Sequence, residues 1–372
     1  METRKVQITG KSTFVVSLPK NWVTRVRIHS GDSVAMIPLT DGTLLVNPNL
    51  TRKGSELVRK IISLDVDDLE EVFRRFVGAY LAGYSTIEFR SRHAIEKEVR
   101  QTIRQFSKSL IGPEIIEEGQ NTIIMRNLLD ASTFSLAKGI RRMHVIARDM
   151  HLEAIEALRT GNIEVASEIK ARDDEVDKLY WMIAKQYNLA LRDFSLAEKL
   201  QIRPQEALGY LLVARSLERI ADHASRIASN SQKLLTEEAL VEDLVQLSKA
   251  IVAILDEAVS AFYKVRFDLS HETVNKSVEI RKTLQEMKNN LLTLHKEPST
   301  MVPLAYVIES LERTLAYATD IAEIGINHEY LVDYGTDLAN TVAVRNEPQV
   351  AGPEKITNEI ENTNPKSLLH NG

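Results

Sequence analysis

Residues 216–228 read SLERIADHASRIA, and residues 310–322 read SLERTLAYATDIA. In both stretches apolar residues recur every three or four positions, which is the spacing of a helix with one buried face. In the first stretch this stripe consists of Leu217, Ile220, Ala221, Ala224, Ile227 and Ala228. Because similarity at a fixed spacing is typical of repeated structural units, the two stretches predict an internal repeat of about 95 residues.

The helical pattern extends from residue 131 to about residue 335 and predicts six helices of roughly 25 to 30 residues each. The two matched stretches fall in the third and the sixth helix. We therefore expect an all-α C-terminal part of two repeated three-helix bundles, one at residues 131–235 and one at residues 236–335. Residues 336–372 are rich in Asn, Thr, Glu and Pro, which predicts a disordered tail. The predicted breaks between helices lie near Gly161, Pro204, Thr236, His271 and Pro298.

The first 130 residues have a different pattern. Residues 1–50 alternate short strand-like runs with turn residues, and so short a segment rarely stabilises a core alone, which predicts a second copy as partner. Residues 55–130 alternate strand and helix patterns and predict a small α/β or α+β unit, for which the sequence indicates no role. Residues 1–50 are locally basic, with Arg4, Lys5, Lys11, Lys20, Arg25 and Arg27.

The length, composition and charge of the whole chain exclude several classes of protein. Its 372 residues predict two or three domains. The absence of Cys excludes disulfides and thiolate metal sites, and the net charge of −5 argues against non-specific binding of nucleic acid by the whole chain. The N-terminus lacks the apolar segment of a secretory signal, and no apolar run approaches the length of a membrane span. We expect a cytoplasmic protein without membrane insertion.

Two pairs of acidic residues stand beside the apolar stripes of neighbouring helices. Glu218 and Asp222 are four residues apart on the third helix, and Asp173 and Asp177 have the same spacing on the second, so each pair lies on one flank of its helix. If the two helices meet, the four carboxylates repel one another unless cations lie between them, and oxygen ligands suit iron, manganese, magnesium or calcium. Secondary candidates are Asp174 and His223.

A simpler interpretation remains open for these acids. Acidic residues on the flank of a helix are commonly solvated, and Arg219 and Arg226 are spaced to form ordinary ion pairs with Asp222. The second copy of the phrase has lost most of the acids, because Ala316 and Tyr317 replace the Asp-His pair. We therefore expect at most one intact acidic cluster per chain, with Glu312 as a secondary candidate in the second repeat.

The stretch RDDEVDKLY at residues 172–180, followed by SLERIADHASRIA, resembles the paired signature of the PhoU family over roughly residues 130 to 335. The resemblance implies two repeated three-helix bundles with acidic motifs that bind clusters of metal ions. The implied metal is iron, manganese, magnesium or zinc. It also implies a cytoplasmic negative regulator linked to the high-affinity phosphate transporter. The metal ligands implied by position are Asp173, Asp177, Glu218 and Asp222.

Residues 3–48, notably SLPKNW and GDSV, resemble the SpoVT-AbrB family. That resemblance implies a swapped-hairpin β-barrel formed by two chains, which binds DNA as a homodimer through basic residues. The six cations of residues 1–50 named above are the candidates. Such a barrel ahead of PhoU repeats looks like an archaeal arrangement.

The sequence leaves three functions in competition. The leading hypothesis is a DNA-binding transcriptional regulator of phosphate transport and homeostasis that carries a metal-binding helical module. The alternative is an adaptor that does not bind DNA but docks on the phosphate transporter and inhibits it. The third is a diiron enzyme, which we do not expect, because such bundles place Glu-x-x-His motifs inside their cores and these helices contain none.

Overall fold

The computed structural model describes residues 2–38, 42–48, 58–66, 68–162, 164–230, 238–291, 293 and 297–345. Its N-terminal part forms two hairpins, as the strand pattern predicted. The elements are β1 (Gln7–Thr9), β2 (Thr13–Val15), α1 (Lys20–Val26), β3 (Ala35–Pro38) and β4 (Leu44–Asn47). β1 pairs with β2 and β3 with β4, both antiparallel, and the two pairs belong to separate sheets. Within one chain these described strands do not close a barrel, so the barrel of two chains remains a prediction.

The two hairpins leave their apolar side chains in solvent. Val6, Ile8 and Phe14 are exposed to 65%, 64% and 71%, and Met36 and Leu44 are about half exposed. A segment this short buries little apolar area on its own, so its strands need another surface to cover them.

The next unit is a four-stranded mixed sheet with two helices. Its elements are β5 (Arg59–Ser63), α2 (Leu69–Leu81), β6 (Thr86–Arg90), α3 (Lys97–Lys108), β7 (Pro113–Glu118) and β8 (Thr122–Asn127). The strands lie in the order β5-β6-β8-β7; β5 and β6 are parallel, and the other neighbours are antiparallel. The alternation of strands and helices predicted for residues 55–130 is confirmed, and the mixed sheet makes the unit α+β.

One core holds this α+β unit together. Phe76 of α2, Phe89 of β6 and Ile103 of α3 have no exposed surface and belong to the same apolar cluster. The rings of Phe76 and Phe89 lie 5.7 Å apart between centroids. Burying aromatic side chains of this size removes large apolar areas from water, which stabilises so small a unit.

Six long helices follow, as the sequence predicted, with a short helix between the second and the third. They are α4 (Leu136–Thr160), α5 (Glu164–Ala190), the short α6 (Phe194–Lys199), α7 (Pro204–Asn230), α8 (Glu238–Lys264), α9 (Phe267–Leu291) and α10 (Pro298–Arg345). α4 begins at Ser135, whose hydroxyl accepts a hydrogen bond from the amide of Lys138, and it ends at Gly161 with φ 71°.

Two helix boundaries differ from the prediction. The break predicted at His271 is wrong: α9 already begins at Phe267, and the His271 ring stacks on the Phe267 ring one turn earlier, 5.5 Å away between centroids. α10 continues to Arg345, so the predicted disordered tail does not begin at residue 336. Residues 346–372 of that predicted tail lie outside the described residues.

The helices pack as two groups of three, α4-α5-α7 and α8-α9-α10. The groups meet where α4 contacts α8 and α7 contacts α10, and one apolar cluster runs through both. Across the first contact, Nε2 of His151 lies 3.0 Å from the hydroxyl of Ser248, and Nε2 of His144 lies 2.8 Å from Asp256. In the described ranges no helix is both long enough and apolar enough to cross a bilayer.

The α+β unit rests on the helical part through α2 and α5. Trp181 of α5 packs against the core of the α+β unit. Lys185 of α5 is buried, and its Nζ lies 4.2 Å from the centre of the Tyr80 ring. The side chains of Asn188 and Arg192 donate hydrogen bonds to main-chain carbonyls at the end of α2. α5 therefore belongs to both parts of the molecule.

Candidate functional site: an acidic cluster between two helices

The four predicted ligands come together where α5 packs against α7. The predicted stripe of α7 faces the core, and Leu217, Ile220, Ala221 and Ala224 have no exposed surface. This orientation turns the flank of α7 that carries the acids towards α5. The carboxylates of both helices influence one another electrostatically, which places them in one cluster. We call Asp173, Asp177, Glu218 and Asp222 the acidic cluster.

Asp173 is the most deeply buried member. The sequence placed it on the flank of its helix, but it is only 3% exposed and lies in the buried stripe between Ile169 and Val176. Its Oδ2 accepts a hydrogen bond of 2.8 Å from Nζ of Lys170, whereas its Oδ1 is buried without a hydrogen bond. A buried carboxylate oxygen without a partner is destabilising, which makes it a group that a ligand could satisfy.

Burial and mutual repulsion raise the pKa values of the other three acids. The pKa of Asp177 rises from 3.8 to about 6, first because of burial and then because of the charges of Asp173 and Asp222. The pKa of Glu218 rises from 4.5 to about 7 through burial and the charges of Asp222 and Asp177. The pKa of Asp222 is also raised, by burial and by Asp173. The cluster therefore binds protons, or another positive charge, more readily than exposed carboxylates do.

Arginines of α7 balance part of this charge. Arg215 donates a hydrogen bond of 3.1 Å to Glu218, and Arg219 lies 3.7 Å from Glu218 and 3.9 Å from Asp222. The simpler interpretation of an ion-paired flank thus applies in part, through Arg219. Arg226 forms no ion pair with any residue described in the structure. The arginines leave Oε2 of Glu218 buried without a hydrogen bond.

The side chains as they stand do not converge on one point. Among the described residues, no group of three or more His, Asp or Glu is arranged to hold a metal ion. The donors of the acidic cluster are all carboxylate oxygens, which suit hard divalent cations, and two of them lack hydrogen bonds. The residues present are therefore compatible with a cation, and the metal assignment stays a prediction.

The two secondary candidates in the first repeat differ in their relation to the acidic cluster. Asp174 is 63% exposed and lies 4.0 Å from Nζ of Lys170, and its charge contributes to the raised pKa of Asp177. His223 is turned towards α10, where its Nδ1 lies 3.3 Å from the hydroxyl of Ser310 and its ring packs near Tyr317. Burial and the charge of Arg226 lower the pKa of His223 to about 4. The His223 ring thus packs against the second repeat.

The second repeat replaces the acidic cluster with an ion pair. Glu312 stands where the first repeat has Glu218, and its Oε2 accepts a hydrogen bond of 2.7 Å from Nζ of Lys288 on α9. The ammonium group supplies the positive charge that facing carboxylates would need from a bound cation. This pair gives a physical reason why the second repeat can lack the other acids, and Glu312 is therefore not part of the proposed site.

The sequence analysis missed two basic residues of the site. Lys170 stands three residues before Asp173, and Arg215 stands three residues before Glu218. This spacing brings side chains together on a helix and could have revealed both. Arg215 also lies over the ring of Tyr180, 5.2 Å from its centre.

The six N-terminal cations predicted to contact DNA are all exposed. Arg4 forms an ion pair of 2.7 Å with Glu2, Lys20 opens α1, and Arg25 lies in its last turn. Arg27 ends that helix in the left-handed conformation, with φ 58°. Lys5 precedes β1, and Lys11 lies in the turn between β1 and β2. A role for them in DNA binding stays a prediction.

Comparison with known proteins shows what the helical part of the chain is similar to. Residues 140–231, which include most of α4 and all of α5 and α7, match the PhoU domain. The chain is 25% identical over 197 residues to a protein of Caulobacter vibrioides named phosphate-specific transport system accessory protein PhoU homolog, covering 51% of this chain and 84% of that protein. It is 21% identical over 206 residues to the protein of the same name from Clostridium acetobutylicum, covering 53% of this chain and 92% of that protein.

Two crystal structures of PhoU proteins are also similar to about half of the chain. The phosphate transport system regulatory protein PhoU from Streptococcus pneumoniae superposes with a TM-score of 0.45 at 20% identity, covering 52% of this chain and 93% of that one. PhoU from Pseudomonas aeruginosa superposes with a TM-score of 0.44 at 21% identity, covering 54% of this chain and 96% of that one.

Proposed function

We propose that this chain is an accessory protein of a phosphate transport system, which docks on the transporter and restrains uptake. The observation that carries the proposal is the match of residues 140–231 to the PhoU domain, because that range contains the whole acidic cluster. The names of the two bacterial relatives support the same role. Of the DNA-binding regulator and the transporter adaptor, the adaptor therefore has the better support.

The acidic cluster is the proposed working site, and a divalent cation is its proposed ligand. Asp173, Asp177, Glu218 and Asp222 would hold the ion. The bound ion would supply positive charge between carboxylates that now repel one another. The buried oxygens of Asp173 and Glu218 that lack hydrogen bonds support this assignment. Because a bound cation favours ionised carboxylates, binding would lower their raised pKa values and release protons.

A binding measurement tests the adaptor function. The purified full-length chain, loaded with divalent cation, is immobilised, and the purified phosphate transporter of the same organism is passed over it in detergent. We expect saturable binding that weakens when both Glu218→Gln and Asp222→Asn are introduced. The matched control is Glu312→Gln, which changes the corresponding acid of the second repeat and should bind as the wild type does. Absence of binding by the folded, loaded protein would refute the adaptor function.

The N-terminal hairpins support a second function, a homodimer that binds DNA. Val6, Ile8 and Phe14 are largely exposed, and the strands that carry them need another surface to cover them. We propose that a second copy of residues 1–50 covers them. Each copy would then present its six exposed cations on the dimer, where they would contact phosphates of DNA.

The salt dependence of DNA binding tests this second function. Each phosphate that the protein neutralises makes the logarithm of affinity fall with the logarithm of salt concentration, with a slope of about −0.9 per contact. We expect the full-length protein to bind DNA from upstream of phosphate-transport genes more tightly than a scrambled control. Replacing both Lys20 and Arg25 with Ala should make the slope shallower by about 2. Equal affinity for both DNAs, or an unchanged slope, would contradict a specific role in DNA binding.

A further inference from the structure

α5 contributes to both the acidic cluster and the contact with the α+β unit, which the proposed functions do not connect. Its N-terminal half holds Asp173 and Asp177 of the acidic cluster. Its C-terminal half holds Trp181, which packs against the core of the α+β unit, and Lys185, which lies over Tyr80. The helix therefore joins the cluster to a unit whose role the sequence did not indicate.

A continuous chain of side-chain contacts also links the two features. Arg215 of α7 donates a hydrogen bond of 3.1 Å to Oε1 of Glu218. The guanidinium of the same arginine lies 5.2 Å from the ring centre of Tyr180. The Tyr180 ring is 4.9 Å from the Trp181 ring between centroids, at an angle of 55°. Only three side chains thus separate the acidic cluster from the core of the α+β unit.

Arg215 is shared between two attractive partners, the carboxylate of Glu218 and the face of the Tyr180 ring. The charged hydrogen bond is the stronger of the two interactions. A cation that binds Glu218 competes with Arg215 for that carboxylate and also repels the guanidinium. Removal of the Glu218 carboxylate abolishes the same hydrogen bond. Either event takes away one of the two contacts that hold Arg215 against Tyr180.

We propose that Arg215 couples the occupancy of the Glu218 carboxylate to the seating of the α+β unit on α5, through Tyr180 and Trp181. When Glu218 accepts the hydrogen bond from Arg215, the arginine is held and the two aromatic rings are fixed. When a cation occupies the carboxylate, or the carboxylate is removed, Arg215 is released and Trp181 becomes more mobile at the contact with the α+β unit. The part of the proposal that concerns a bound cation rests on the proposed function; the part that concerns the hydrogen bond between Arg215 and Glu218 does not.

The second repeat lacks this device. The residue before its SLER phrase is Glu309, where the first repeat has Arg215. Glu312, the counterpart of Glu218, is paired with Lys288 across the bundle. The arginine that links a carboxylate to an aromatic ring therefore occurs only in the repeat whose second helix contacts the α+β unit.

Trp181 itself reports on the proposal. The chain has two tryptophans, so Trp22→Phe in the full-length protein leaves Trp181 as the only one. In this background and in EDTA at pH 8, Glu218→Ala, which removes the acceptor of Arg215, should raise the quenching constant of Trp181 by acrylamide. Adding Mg²⁺ or Zn²⁺, which do not quench fluorescence by paramagnetism, should raise it in the protein that retains Glu218. Glu312→Ala is the matched control and should leave the quenching constant unchanged.

A double-mutant comparison tests the route. With Arg215→Gln already in place, Glu218→Ala should cause no further change in quenching. The proposal is overturned if Glu218→Ala does not alter the quenching of Trp181, or if its effect persists undiminished without Arg215. Circular dichroism confirms that each variant is folded, and hydrogen exchange of the Gly83 and Tyr84 amides measures the seating of the α+β unit independently. If Glu218→Ala changes the quenching of Trp181 and neither cation does, the cation assignment fails and the coupling through Arg215 stands.

Discussion

Glu218→Gln should stabilise the protein in the absence of divalent cations, although it removes a charged residue that forms a hydrogen bond. The Glu218 side chain is 12% exposed, and its pKa is raised from 4.5 to about 7. Each unit of pKa shift corresponds to about 1.4 kcal/mol. The native state retains the proton up to about pH 7, whereas the unfolded chain releases it near pH 4.5. Stability therefore falls as the pH rises between these two values, and the full loss is present above pH 7.

The shift of pKa corresponds to about 3 kcal/mol, and screening by solvent and by the rest of the cluster reduces this to about 1–3 kcal/mol. Gln has nearly the shape of protonated Glu and keeps an oxygen that accepts from Arg215. If about 2 kcal/mol is recovered at pH 8 in EDTA, the variant should therefore unfold at a temperature about 2–4 °C higher than the wild type, because the entropy of unfolding grows with chain length. At pH 4, where the wild-type carboxyl is protonated in the native state, the difference should nearly vanish.

Thermal unfolding followed by far-UV circular dichroism, in which helices dominate the signal, measures this difference. The matched control is Glu312→Gln, which removes a partly exposed ion pair with Lys288 and should lower stability by less than about 1 kcal/mol. With saturating divalent cation the wild type should become more stable than Glu218→Gln, because binding stabilises only a protein that holds the ion. A Glu218→Gln variant that is less stable than the wild type at pH 8 in EDTA would refute the reasoning.

Three further predictions concern other parts of the chain. Asp222→Asn should lower the metal bound per chain, measured by elemental analysis, and Glu312→Gln should not; an equal loss in both would place ligands in the second repeat. His151 is fully buried and its pKa is lowered from 6.5 to about 4, so the wild type loses stability as the pH falls through that interval. In His151→Gln, the free energy of unfolding measured with urea should differ less between pH 7 and pH 4.5 than it does in the wild type. An equal difference in both proteins would contradict this prediction. Gly83 has φ +82°, and an added Cβ would lie 2.5 Å from a side chain of α5, so Gly83→Ala should lower the urea midpoint by the equivalent of about 1–3 kcal/mol. Gly78→Ala, where an added Cβ would have no atom within 4 Å, should leave the urea midpoint unchanged. An equal fall of the midpoint in both variants would contradict the close contact at Gly83.

The sequence predicted the helical part well because its apolar residues follow the helical period over long stretches. The stripes of α7 and α10 are buried as expected, from Leu217 to Ala228 and from Leu311 to Ala322. Boundaries were harder to predict where no residue breaks the helix strongly. α9 begins before His271 because its first turn contains no Gly or Pro, whereas α10 continues through Gly335, at the predicted boundary, as far as Arg345.

The sequence predicted which acids lie on the two neighbouring helices but not how deeply each is buried, and their role as ligands stays a prediction. A spacing of four residues shows that Asp173 and Asp177 share a face, but whether that face is buried depends on the helix packed against it. The sequence therefore could not show that Asp173 is nearly inaccessible. The ion pair of Lys288 with Glu312 joins two helices and has no local signal in the sequence. The contact between α5 and the α+β unit depends on tertiary packing in the same way.

The most direct test of the proposed function is the uptake of radiolabelled phosphate by the source organism in phosphate-rich medium. Deleting the gene for this chain should raise the uptake rate, and expressing the wild-type chain should restore the low rate. The chain with both Glu218→Gln and Asp222→Asn should restrain uptake less than the chain with Glu312→Gln, at equal amounts of protein. An uptake rate that is the same with and without the gene would contradict the account.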